Sequence, residues 1–183
     1  MLRITDVAQM ARMNRAEIEK MISRGWYKPR SNTSRGRWRQ YDGLDVVFLS
    51  TIRELRSLGF SSQDAARYVN VELRHELQRS MAKPITSWGW YFFIAHHGDG
   101  AKHSETVGMI ETADFNRIFN GSGLRSVILI DVARIIADVS LMIAARQPGG
   151  MPIRAAAEVI MRYPRLRRAL TNTVPPAHPR APA

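Results

Sequence analysis

The stretch "NRAEIEKMISRGWYKPRSNTSRGRWRQY", Asn14 to Tyr41, decides the fold. Its first third reads as a helix: Asn14 is a cap, Glu17 stands three residues on as a variant capping box, and Ile18, Met21 and Ile22 share an inward stripe. Gly25 is placed to end that helix and Pro29 prevents its resumption. A loop follows whose last seven residues, "RGRWRQY", hold three arginines, a glycine and a tryptophan. From Arg12 to Tyr41 there are nine basic residues against two acidic ones, Glu17 and Glu19, so charge is concentrated here.

On the N-terminal side, Thr5 can cap a first short helix, "DVAQMA", with Val7, Ala8 and Ala11 on one face. Met13-Asn14 makes the break before the second. Two short helices about a tight turn form a helix-turn-helix, which places its second helix, about Arg15 to Ser23, in the DNA major groove. The cationic loop then reads as a wing, a hairpin turned by Gly36 and laid along the backbone or into the minor groove. On the C-terminal side a helix from about Leu44 to Leu58 carries Val47, Phe48, Thr51, Ile52 and Leu55 on one stripe and stops at Gly59. Ser61, with Asp64 at capping-box spacing, opens a further helix reaching toward Met81.

Beyond Pro84 the pattern changes. "SWGWYFFIAHH" and "KHSETVGMIE" read as strands about the turn "GDG". "TADFNRIF" reads as a short helix capped by Thr112, "RSVILI" as a buried strand, and the stretch through Val132, Ile135, Ile136, Val139, Met142 and Ile143 as a helix. "QPGGMP" breaks the chain before a helix from about Pro152 to Tyr163 and the proline-rich tail "TVPPAHPRAPA", read as disordered. The expected fold is therefore α+β: a winged helix-turn-helix over 1–83, a small α+β domain over 85–147, and a C-terminal helix with a disordered tail over 148–183.

Composition bounds the function. The 183 residues carry 27 Lys plus Arg against 16 Asp plus Glu, a net charge of +11, which favours a polyanionic partner. The absence of cysteine excludes disulfides, cysteine nucleophiles and thiolate metal sites. The N-terminus lacks the apolar run of a signal peptide, and the most apolar stretch, 127–145, contains Asp131, Arg134 and Asp138, against a membrane span. His96, His97 and His103 with Asp99 flank one turn, but adjacent His96 and His97 point to opposite faces of a strand, so no metal is assigned. No nucleophile–base set or carboxylate pair stands out, and neither a catalytic site nor a cofactor is expected. The aromatic run from Trp88 to Phe93 reads as core or dimer face, with stacking on single-stranded nucleic acid as the alternative.

The expected DNA-binding residues are Arg15, Lys20 and Arg24 along the second helix, and Lys28, Arg30, Arg35, Arg37, Trp38, Arg39 and Tyr41 in and around the wing. The arginines suit phosphates or a narrow minor groove, whereas Trp38 suits either wing packing or a sugar contact.

Four motifs then stand in order: Ile4, Val7 and Ala8; "RGWYKP" at 24–29; "RQY" at 39–41; and "IRELRSLGFSSQDA" at 52–65. Residues 4–69 resemble the winged-helix DNA-binding domain of the MerR superfamily. That resemblance implies that Arg39 and Tyr41 match the wing arginine and tyrosine that contact backbone phosphate. The chain departs from the family's pattern in its second helix, "AEIEKMIS", and in strands that begin by about Ser87. The expected function is a sequence-specific, double-stranded DNA-binding transcriptional regulator, cytoplasmic, bacterial or phage-encoded, and homodimeric through its C-terminal domain. The rivals are an architectural protein of the excisionase or terminase-small-subunit kind and a protein-interaction adaptor.

Overall fold

The computed structural model describes residues 2–30, 39–81, 90–98, 103–111, 114–120 and 123–146. Helix α1 spans Ile4–Ala11. Its cap is Arg3, two residues ahead of the expected Thr5, because the Asp6 carboxylate accepts the Arg3 backbone N–H at 3.0 Å. Arg12 ends it in the left-handed region at φ 52°, the one described residue other than glycine to do so. Asn14 caps α2, Arg15–Ser23, by accepting the Ala16 N–H at 2.9 Å. Glu17 does not turn back to that cap; it pairs with Arg56. Gly25, at φ 71°, supplies the left-handed residue after α2, and the Met21 carbonyl accepts the N–H groups of Trp26 and Tyr27.

Helix α3, Gly43–Ser57, is set by a reciprocal capping box. Asp42 accepts the Asp45 N–H at 2.9 Å, and Asp45 accepts the Asp42 N–H at 3.1 Å. The turn at Gly59, φ 97°, leads to Ser61, which caps α4, Ser62–Tyr68, through the Asp64 N–H. Helix then continues as a π-turn over Val69–Leu73 and as α5, Arg74–Met81. The expected long helix toward Met81 is present, with a π insertion that apolar periodicity does not announce.

Strand β1, Trp90–Gly98, is the centre of a three-stranded antiparallel sheet. It pairs with β2, His103–Glu111, in the register Phe92 to Met109, and with β3, Leu124–Asp131, in the register Phe92 to Ile130. Short helix α6, Phe115–Phe119, lies between β2 and β3, and α7, Val132–Arg146, leaves β3 directly. Thr112, the expected cap of α6, lies outside the described residues, as do Trp88 and everything beyond Arg146, including the expected helix at 152–163 and the tail.

Strand alternation gives β1 two buried faces. Trp90, Phe92 and Ile94 point into a cluster shared with Val7, Ile18, Phe48, Ile52 and Leu73 of the helices and with Ile136 and Val139 of α7. Phe93 and Ala95 face the other way, toward Ile110 and Ile118, while Phe115 meets Tyr91 edge-on at 5.0 Å. The helical half and the sheet therefore share one apolar core, and the aromatic run is packing surface.

Candidate nucleic-acid interface

The geometry of the interface begins with the break at Arg12 and Met13, which frees α2 from α1. One side of α2 goes into the core through Ile18 and Met21. Arg15, Lys20 and Arg24 are left exposed, as the sequence predicts. Arg15 Nε donates to Glu19 Oε1 at 2.8 Å across one turn. Both side chains are about half exposed, so a phosphate can compete for this pair at little cost. Arg24 lies over the Trp26 ring, 4.7 Å from its centroid, which braces the guanidinium just past the helix end. Lys20, Arg24 and Trp26 then line one side of a groove whose other side is Arg56, Ser61 and Gln63 at the junction of α3 and α4.

The peptide 26–30 that follows α2 has no regular structure and is held by side chains. Its anchor is Asp45, which is fully buried. Asp45 Oδ1 accepts the Tyr27 hydroxyl at 2.7 Å and the Arg30 backbone N–H at 2.9 Å, while Oδ2 takes part in the α3 capping box. Burial raises the Asp45 pKa, and the hydrogen bonds from Arg30, Tyr27 and Asp42 oppose that rise. Burial also pushes the Tyr27 hydroxyl well above its ordinary value, reinforced by the adjacent Asp45. The Arg30 side chain reaches Asp42 at 3.1 Å, so backbone and guanidinium are fixed by the same capping box.

On the far side of the loop, Tyr41 pairs with Leu2 through a two-way backbone bridge of 3.0 and 3.1 Å. Its ring is 2 % exposed, so it packs in the core. Burial raises its pKa, opposed by Arg39, which hydrogen-bonds its hydroxyl; Asp45 and Glu19 push it up. Arg39 is exposed. The structure thus brings Arg39 and the Tyr41 hydroxyl together. Arg35, Arg37 and Trp38 lie outside the described residues.

Sequence reasoning missed Asp42, Asp45, Asn70 and Arg74. The Asp42–Asp45 spacing ahead of an apolar run is a legible capping signature. The others act across long separations. Asn70 Nδ2 donates to the Trp26 carbonyl and an Arg74 Nη donates to the Lys28 carbonyl, partners 44 and 46 residues apart.

Among the described residues no group of three or more His, Asp or Glu side chains could hold a metal ion, and no helix is long and apolar enough to cross a membrane. No curated protein matches the chain. Residues 2–72 match the family of MerR HTH family regulatory proteins, a span that runs from the Leu2 bridge through the wing segment and α4 into the π-turn. Capped α1, the break at Arg12 and exposed α2 lie within that span, so residues 2–72 form a MerR-type helix-turn-helix domain, the module of a DNA-binding regulator.

Proposed function

We infer that the protein is a sequence-specific transcriptional regulator that reads double-stranded DNA as a homodimer. In this reading α2 enters the major groove, with Arg15 and Lys20 toward base edges and Arg24 toward the backbone. Lys28, Arg30 and Arg39 flank the wing segment and neutralise phosphates, with Arg35 and Arg37 from the segment itself. The observation that carries the reading is the exposure of all six described cationic candidates, Arg15, Lys20, Arg24, Lys28, Arg30 and Arg39, on a MerR-type module. The 85–147 segment supplies dimerisation or a partner surface, and a cytoplasmic place follows from a DNA target.

Tyr41 and Trp38 have separate roles here. With its ring in the core, Tyr41 offers DNA at most its hydroxyl, held by Arg39. For Trp38 the reading keeps both wing packing and a sugar contact.

Anisotropy of labelled duplex from the gene's own upstream region, against a scrambled duplex across a salt series, tests the reading. A salt-sensitive preference for the native duplex is expected. Footprint length then separates a regulator on one dyad from an architectural protein on adjacent sites. Absence of binding at low salt would defeat it and favour a protein-docking role.

A further inference from the structure

We propose that Asn70 and Arg74 are positioning residues of the DNA-binding surface: they hold the peptide at the root of the wing and so set which phosphates Lys28 and Arg30 reach. The inference rests on the DNA-binding reading above. Residues 26–30 belong to no helix or strand. Beyond the turn that closes α2, this peptide is placed by side chains: Trp26 O by Asn70, Tyr27 by Asp45, Lys28 O by Arg74, and Arg30 N again by Asp45.

Two of these grips come from one place. Asn70 and Arg74 stand four residues apart in and just after the π-turn, and such a spacing brings both side chains to one face. Arg74 is itself steadied, its guanidinium lying over the Phe48 ring at 5.1 Å. The arrangement is not optimal for stability: Asn70 Oδ1 and Arg74 Nε are buried without a hydrogen-bond partner, and a π-turn is a poorer helix than the α form. Groups held at such a cost, with their remaining donors aimed at the wing root, fit a positioning role better than a packing one.

The π-turn is also where the module meets the sheet. Tyr68, one residue before it, hydrogen-bonds Glu105 of β2, and Leu73 within it belongs to the core that contains Phe92. A shift of the sheet would therefore be felt at the wing root through this turn.

Asn70→Ala provides a clean test, because it removes no charge. DNA binding across a salt series is measured on the full chain, together with amide hydrogen exchange in the protein without DNA. The expected result is a salt slope flatter by about one for each phosphate that the variant no longer reaches, with faster exchange at 26–30 and unchanged protection in α3. Arg74→Lys, which keeps the charge but cannot reproduce the flat guanidinium grip, should show the same pair of changes. An affinity loss with the slope intact would mean only a smaller folded fraction and would overturn the proposal. So would restoration of slope and exchange by Arg74→Lys, which would make Arg74 a plain phosphate cation. A milder Asn70→Ser replaces Asn70→Ala if the latter fails to fold. Wild-type protein without salt-dependent binding would defeat the DNA reading itself, and the proposal with it; variants indistinguishable from a salt-sensitive wild type would defeat the proposal alone.

Discussion

Removing the Tyr27 hydroxyl should expose how firmly the root of the wing is anchored. Tyr27→Phe leaves a ring of the same shape in a site only 1 % exposed, so no cavity opens and the loss is one hydrogen bond. That bond, 2.7 Å to Asp45 Oδ1, runs to a buried carboxylate. Hydrogen bonds to charged groups contribute about 1.5–3 kcal/mol, against about 0.5–1.5 for neutral pairs. Near neutral pH the variant should therefore be less stable by about 2 kcal/mol.

The pH dependence gives the prediction a second edge. Asp45 has its folded-state pKa raised by burial, so the unfolded chain releases this proton first as pH rises. Its ionisation thus costs stability from the ordinary aspartate range up to the folded pKa. The Tyr27 hydroxyl lowers that pKa, so without it the loss continues to higher pH. The gap between wild type and Tyr27→Phe must consequently widen with rising pH, from about 1 kcal/mol at an acid pH below the folded-state pKa of Asp45 to about 2 near pH 7. Urea unfolding followed by circular dichroism at the two pH values measures it, provided both proteins share one m-value. A gap that is absent near pH 7, or constant across pH, would refute the placement of an ionised Asp45 at the centre of this anchor.

The remaining predictions concern the interface and the core. Arg39→Ala should weaken binding to native and scrambled duplex alike and reduce the salt slope by about 0.9, since a phosphate contact carries no base information; an unchanged slope removes Arg39 from the interface. Arg15→Ala and Lys20→Ala should instead alter preference among duplexes, by about 1–3 kcal/mol where a base edge is read; equal losses on both duplexes would place these residues on the backbone. Phe92→Ala should cost about 3–5 kcal/mol and lower the helix signal and the sheet signal in one transition, because its ring sits in the core that both share; two separate transitions would show the halves folding independently.

Much of the architecture is legible where local chemistry decides it. Asn14, Gly25, Gly59 and Ser61 each punctuate the chain as their side chains or backbone freedom dictate, and the alternation in β1 sends Trp90, Phe92 and Ile94 to one face. The α1 start differs by two residues because the Asp6 carboxylate turns back to the Arg3 N–H, which makes Arg3 the cap in place of Thr5. What composition cannot show is which polar residues meet across the fold. Neither Tyr27 nor Asp45 stands out on the sequence, and only tertiary packing brings them together across 18 residues. The π-turn is hidden for the same reason: Val69 and Leu73 satisfy helical spacing, and only their packing against α3 and β2 selects the wider turn.

The acids of α2 show why the charge pattern reads differently once folded. On the sequence, Glu17 and Glu19 are simply the two acids within a basic stretch. In the fold Glu17 is engaged by Arg56 from α3, and Glu19 by Arg15 from its own helix. The first pair fixes α2 against the scaffold, since its partner belongs to another helix. The second is a half-exposed pair within one helix, so it restrains Arg15 only weakly. A phosphate that captures Arg15 therefore displaces Glu19 at little cost, whereas the Glu17–Arg56 pair between helices is left in place.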